Sequence, residues 1–164
     1  MRKKIAVCGS NEVSSTHISD IAEKVGIEIA KKNGILVCGG LGGVMECASR
    51  GAKKYNGITV GILPDDNINA ANQFIDICIP TSIGKIRNFF VVSVADAVIG
   101  ISGSWGTLSE LSLALNLNKP VIIIQNTGGV VDWFVNTPIG FAEHRYLVAN
   151  DAYDAVRLAF SLIE

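Results

Sequence analysis

Short runs of β-branched and apolar residues alternate along the chain with longer segments whose apolar positions recur every three or four residues. Ile5-Ala6-Val7-Cys8 reads as a strand. The segment from Ser15 to Lys32 then carries Ile18, Ile21, Ala22, Val25, Ile29 and Ala30 on one helix face, and Gly34 stops it. Ile35 to Cys38 is a second strand, Val44 to Lys54 a helix and Ile58 to Ile62 a third strand. Further on, the pattern predicts a strand over Phe74 to Ile79, a helix over Ile83 to Ala95 and a strand over Ala97 to Ile101. A helix over Thr107 to Asn118 and a strand over Pro120 to Ile124 follow. The chain closes with a short helix near Val130 to Asn136, a strand around Tyr146 to Val148 and a last helix over Tyr153 to Leu162.

Strands of four to six residues without polar alternation, each followed by a helix, imply a parallel sheet covered on both sides. The expected fold is therefore α/β: a Rossmann-like, doubly wound parallel sheet with helices on both faces. Residues 1–164 show no repeat, linker or low-complexity tract, and Pro64 to Gln73 is the one long polar loop, so a single Rossmann-like domain is expected.

Composition narrows the function. Hydrophobic residues make up 49% of the chain and charged residues 18%, with a net charge of -1 and no run of like charge. A basic face for nucleic acid or a membrane surface is thus not expected. The most apolar windows, Phe89 to Ile101 and Val121 to Ile124, are broken by Asp96 or bounded by Lys119 and Gln125. Both fall short of the roughly 20 residues of a membrane span. Met1-Arg2-Lys3-Lys4 is basic, but the apolar stretch after it breaks at Gly9-Ser10-Asn11-Glu12, so no secretory leader is read and a cytoplasmic protein is expected. Cys8, Cys38, Cys47 and Cys78 form no CxxC pair, and neither His17 nor His144 stands at zinc-ligand spacing from them. Free thiols and no metal site are the expectation. The apolar excess fits strands buried on both faces or burial against another copy of the chain.

In a doubly wound sheet the ligand lies outside the carboxyl ends of the strands. The loops there are Gly9-Ser10-Asn11, Gly39-Gly40-Leu41-Gly42-Gly43, Pro64-Asp65-Asp66, Ser102 to Thr107 and Thr127-Gly128-Gly129. Glycines between a strand and a helix let backbone approach a ligand, and the amides of the helix start suit a phosphate. Neither GxGxxG nor GxxxxGK[ST] is present, so NAD and ATP are not supported, and there is no GxSxG elbow for a serine hydrolase. Two readings stand for each candidate. Gly39 to Gly43 serve tight packing or a ligand. Thr107 and Glu110 form a capping box, or Glu110 is a carboxylate for acid/base work or for stabilising an oxocarbenium-like centre. Arg87, beside Lys85, is a solvated charge or a clamp on a phosphate or carboxylate. Asp65 and Asp66 make a solvated turn, or accept from ribose hydroxyls or hold a metal.

Taken in order, CGGLGGVMECASRGA, GILPDD, the arginine of GKIRNFF, ADAVIGISGSWGTLSEL, and KPVIII with TGG resemble the family once labelled lysine decarboxylase-like. It contains the lonely-guy cytokinin-activating phosphoribohydrolases and the molybdenum cofactor carrier proteins. Length, GILPDD and TGG look nearest the carrier-like branch. The resemblance implies a Rossmann-like sheet in a homo-oligomer, dimer or tetramer. The hydrolase signature, PGGxGTxxE with an upstream arginine, places Arg87 and Glu110 as catalytic residues and Gly103, Gly106 and Thr107 in the phosphate loop. Ser102 and Ser104 depart from its proline and second glycine.

Two functions follow from the resemblance. The first is a binding protein for a phosphorylated flat heterocycle, with the molybdenum cofactor as a carried ligand and no cofactor required. Its ligand would be held by Gly9, Ser10, Gly39, Gly40, Gly42, Gly43, Gly103, Ser104, Gly106 and Thr107, and Trp105 could stack on the ring. The alternative is a phosphoribohydrolase that cleaves the base-ribose bond of a nucleoside 5'-monophosphate. A third reading is an oligomer whose pocket is vestigial, with Arg87 and Glu110 merely paired. Lysine decarboxylation is rejected, because no lysine stands in a pyridoxal phosphate context.

Overall fold

The computed structural model describes residues 1–137 and 146–163, so His144 lies outside the described residues. Seven strands among them form one parallel sheet: β1 (Lys4–Gly9), β2 (Ile35–Cys38), β3 (Ile58–Leu63), β4 (Ile77–Pro80), β5 (Ala97–Ile101), β6 (Val121–Ile124) and β7 (Tyr146–Ala149). Six helices accompany them: α1 (Thr16–Lys31), α2 (Val44–Lys53), α3 (Asn88–Ser93), α4 (Trp105–Asn116), α5 (Gly129–Asn136) and α6 (Ala152–Ser161). The strand order β4-β3-β2-β1-β5-β6-β7 runs outward in both directions from β1, which makes the sheet doubly wound as the sequence pattern implies.

Each face has its own core. Ile5 and Val7 of β1 point to one face, where Ala22, Val25 and Ile29 of α1, Ala48 of α2 and Val156 of α6 cover them. Ala6 and Cys8 point to the other, under Val91 and Val92 of α3, Leu111 and Ala114 of α4 and Val131 of α5. The period-two alternation of a strand buried on both faces explains why β1, β5 and β6 read as unbroken apolar runs. On the first face the two helices cross almost in backbone contact. A methyl group at Gly26 would stand 1.9 Å from the Ala48 carbonyl, and one at Gly51 the same distance from that of Glu23.

Three element starts differ from the sequence expectation by two residues or more. β4 begins at Ile77 rather than Phe74, because the Asp76 carboxylate turns back to accept from the Thr59 amide (2.9 Å) and the Thr59 hydroxyl donates to the Phe74 carbonyl (2.6 Å). The helix expected over Ile83 to Ala95 is a 3-10 turn, Gly84–Arg87, followed by the short α3. Gly84 enters it with φ +59° while its amide donates to the Pro64 carbonyl (2.9 Å), which ties the turn to the loop after β3. α4 begins at Trp105, two residues before Thr107.

Candidate functional site

The order of the sheet reverses between β1 and β5, which pair in register from Ile5 with Ala97 to Gly9 with Ile101. A cleft of about 460 Å³ opens at their carboxyl ends, lined by Ser10, Asn11, Glu12, Val13 and Ser14 after β1 and by Ser104 after β5. This is the crevice where a doubly wound sheet takes its ligand.

What the surrounding helix starts do with their amides decides where an anion can sit. The α1 start is capped by the Ser15 hydroxyl, which accepts from the Ile18 amide, and the α6 start by Asp151, which accepts from the Asp154 amide. The α2 start is closed by the neighbouring loop, since the Ser10 carbonyl accepts from the Val44 amide (2.9 Å) and the Asn11 side chain from the Gly42 amide (3.1 Å). The α5 start is closed likewise, with the Gly103 carbonyl accepting from Val130 (2.9 Å) and the Ser102 carbonyl from Val131 (3.3 Å). At α4 the N-cap residue Ser104 makes no side-chain cap, and no described residue takes the amides of Trp105, Gly106 and Thr107. They follow directly on Ser104, which lines the cleft, and the positive end of the helix dipole lies there.

The glycines divide along the same line. Gly9 leaves room for Val44 and the Ile101 carbonyl, Gly39 for the Arg87 guanidinium, Gly40 for Leu63, and Gly43 for the Ser10 carbonyl. Gly103 lies under Thr107, whose hydroxyl would be 2.3 Å from a methyl group there, and Thr107 is itself buried. Gly42 meets only Asn11 and Glu46 at longer range, and Gly106 has open space above it. Packing thus accounts for Gly9, Gly39, Gly40, Gly43 and Gly103, while Ser10, Ser104 and Gly106 border free volume. Trp105 is 83% exposed at the rim.

The strand-to-helix turn before α4 follows an unusual path. Ser102 takes φ +52° and Gly103 φ +97°. The Ser102 amide donates to the Thr127 hydroxyl (2.9 Å), which donates onward to the Ile124 carbonyl (2.8 Å). Proline has neither that φ nor an amide hydrogen. Ser102 and Thr127-Gly128-Gly129 are therefore one locked unit, built on a donor that the hydrolase signature's proline lacks.

Arg87 is buried rather than solvated, and it meets Glu110 (3.2 Å). The Glu110 carboxylate does not fold back on the Thr107 amide, so the capping box is not formed: Thr107 lies inside α4 and Glu110 one turn deeper. The guanidinium also donates to the Asn88 side chain (2.8 Å) and the Gly39 carbonyl (3.5 Å). Its Nε has no partner, and among the described residues it is the buried side-chain polar atom left in that state. Burial raises the Glu110 carboxyl from its ordinary 4.5 to about 7, against the opposing pull of Arg87 and of the Cys8 thiol. Burial, then Glu110, push Cys8 well above the ordinary thiol range, so it stays protonated and is no nucleophile. Asp65, Asp66 and His17 are exposed and take no part in this cluster. Asn88 and Cys8 belong to it through Arg87 and Glu110, a role that the residue pattern alone did not give them. Asn88 directly follows Arg87, the one adjacency that could have drawn notice.

Two outcomes test these features. Ser102→Pro should lower the unfolding free energy in urea by about 3 kcal/mol or more, since it loses both the φ and the hydrogen bond. Ser102→Gly should stay within about 1 kcal/mol of wild type or exceed it, because glycine relieves the left-handed strain. The second test uses Glu110. The folded carboxyl titrates near 7 and the unfolded one near 4.5, so the native state holds the extra proton between those values. Its contribution to stability is complete below about 4.5 and lost as pH rises through about 7, and Glu110→Gln should flatten that part of the denaturation profile.

Comparison with known proteins fits this geometry. The model of the SLOG cluster4 family matches residues 2–152. A protein of Archaeoglobus fulgidus is 42% identical over 118 residues, 72% of this chain and 77% of that one. The molybdenum cofactor binding protein of Rippkaea orientalis superposes with a TM-score of 0.90 at 34% identity, covering 100% of this chain and 99% of that one. The molybdenum cofactor carrier protein of Chlamydomonas reinhardtii does so with a TM-score of 0.85 at 28% identity, covering 98% of each. With the family model spanning nearly its whole length, the chain belongs to the SLOG cluster4 family.

Proposed function

We propose that the chain is a non-catalytic binding protein for a phosphorylated, flat heterocycle, either a molybdopterin-type cofactor carried as cargo or a nucleotide. The observation that carries this reading is the α4 start, which follows the cleft residue Ser104 and whose first three amides have no partner among the described residues, whereas the α1, α2, α5 and α6 starts each have an amide taken by a side chain or a loop carbonyl. The ligand's phosphate sits on those amides over Gly106, and exposed Trp105 stacks on the ring. The molybdenum cofactor proteins of Rippkaea and Chlamydomonas lend the cargo its precedent. Ligand contacts fall on Ser10, Ser104, Gly106 and the amide of Thr107, with Gly9, Gly39, Gly40, Gly42, Gly43 and Gly103 shaping the loops that frame them.

The alternative, hydrolysis of a nucleoside 5'-monophosphate, is favoured by one observation: Glu110 holds its proton to about 7, a value suited to an acid/base. Against it stand the burial of both Arg87 and Glu110 and their closed contact. One experiment separates the two. Purified protein is titrated calorimetrically with AMP and with molybdenum cofactor released from a molybdoenzyme, and the AMP mixture is assayed for free adenine. Binding without adenine release is expected, weakened at least tenfold in Gly106→Val, whose side chain enters space that no protein atom occupies. Adenine release abolished by both Glu110→Gln and Arg87→Ala establishes the hydrolase, and absence of binding to both ligands overturns the binding reading.

The working unit is a homo-oligomer, in the reducing cytoplasm that suits its free cysteines. Ile86 is 72% exposed, with Phe89, Phe90 and Val94 also bare on the 3-10 turn and α3, an apolar face a second copy would cover. Light scattering should give at least twice the 17.4 kDa chain mass, and Ile86→Glu should reduce it to one; a wild-type monomer overturns the assembly.

A further inference from the structure

Asn88 is buried next to Arg87 and touches two elements at once. Its side-chain oxygen accepts from the Arg87 guanidinium (2.8 Å), and its side-chain nitrogen donates to the Gly106 carbonyl (3.4 Å) in the first turn of α4. Arg87 has little else to fix it. Its contacts to Glu110 (3.2 Å) and to the Gly39 carbonyl (3.5 Å) are longer, its Nε is unpaired, and it sits on a four-residue 3-10 turn that follows a glycine of positive φ. The shortest bond holding the guanidinium is thus the one to its own neighbour, and that neighbour is tied to the first turn of α4, the helix whose N-cap Ser104 lines the cleft.

We propose that Asn88 is a positioning residue, which fixes the Arg87 guanidinium against Glu110 and couples that pair to the ligand-facing start of α4. The amide is suited to the task. It offers one acceptor and one donor, so it satisfies a cation on one side and a backbone carbonyl on the other without adding charge to a buried cluster. Aspartate would bring a second carboxylate to compete with Glu110 for the same cation, and a hydrophobic residue would strand two polar groups. The groups near Glu110 are the Arg87 guanidinium from the 3-10 turn, the Cys8 thiol from β1 and the Cys38 thiol from β2, and the first two hold its carboxyl lower than burial alone would. The guanidinium is the permanently charged one. Loosening it therefore leaves a signature on Glu110 that a loss of packing elsewhere would not.

The experiment follows the Glu110 side-chain carboxyl by 13C NMR through pH 5 to 9, in the intact chain and without ligand. The wild-type midpoint serves as reference. In Asn88→Ala the midpoint should rise by half a unit or more, a threefold change in the carboxyl's proton affinity. In the Arg87→Ala background the same substitution should move it by less than 0.2 units, because nothing is left to position. Asn88→Ser, which keeps a small hydroxyl in the space, replaces Asn88→Ala if that variant fails to fold. An unchanged or lowered midpoint in a folded single variant, or an equal shift with and without Arg87, overturns the assignment. This much does not depend on the binding reading. The coupling to α4 rests on it and is read separately: if wild-type protein binds AMP, Asn88→Ala should weaken AMP by about tenfold while Arg87→Ala/Asn88→Ala is no weaker than Arg87→Ala alone. Wild type that fails to bind AMP and cofactor strikes the proposed function and the coupling together, and the NMR result then judges the positioning alone. Equal AMP affinity in wild type and Asn88→Ala overturns the coupling.

Discussion

The site depends on how neighbouring loops and helix starts satisfy each other. A parallel sheet brings several helix N-termini to one edge, each with amides that no helical bond can use. Here the carbonyls of Ser10, Ser102 and Gly103 fill two of those starts, and the side chains of Ser15 and Asp151 fill two more. Each closure fixes a loop: Gly43 lies against Ser10, and Gly129 is so close to Gly103 that a methyl group would come within 2.3 Å of its carbonyl. The β1 and β5 loops are held by the very helices they cap, so the α4 start at their junction has fixed walls. A site framed by backbone loses little entropy when a ligand arrives.

Beneath that frame lies a charge pair that is costly to bury and costly to break. Arg87 cannot shed its charge, whereas Glu110 can, and burial has moved its carboxyl to the pH where it does so. The cluster therefore carries either a neutral pair or a single positive charge near neutral pH. A positive charge under the cleft favours an anion above it, which is the sense in which the pair serves binding without reaching the ligand.

Most of the fold was legible because a parallel sheet buried on both faces writes itself as apolar runs. β2 and β5 fall where the pattern put them, and β1, β6 and α1 within one residue. The errors fell where side chains or glycines override period, at Asp76 for β4 and at Gly84 for the turn before α3. The site was legible only in outline. The glycine loops lie at the carboxyl edge of the sheet, but a glycine kept for packing, such as Gly39 against Arg87, looks the same in a sequence as one with open space above it, such as Gly106. Arg87 looked solvated beside Lys85, because burial of a charge depends on partners far off in the chain. Thr107 and Glu110 matched a capping box by spacing, yet the box fails because Ser104 starts the helix three residues earlier.

The serine at 102 bears most directly on the choice between binding and hydrolysis. A left-handed non-glycine residue costs roughly 1–2 kcal/mol, so it persists only where its surroundings hold it. Thr127 takes its amide and α5 takes its carbonyl, which ties the path of the turn before α4 to the TGG turn after β6. The departures from the hydrolase signature are thus not scattered losses around a retained Arg87 and Glu110. The one at Ser102 is built into its own set of hydrogen bonds, while Glu110 stays buried and engaged with Arg87. A carboxylate so placed can tune the charge of a bound anion's surroundings, whereas glycosidic cleavage would require it to reach the reacting bond.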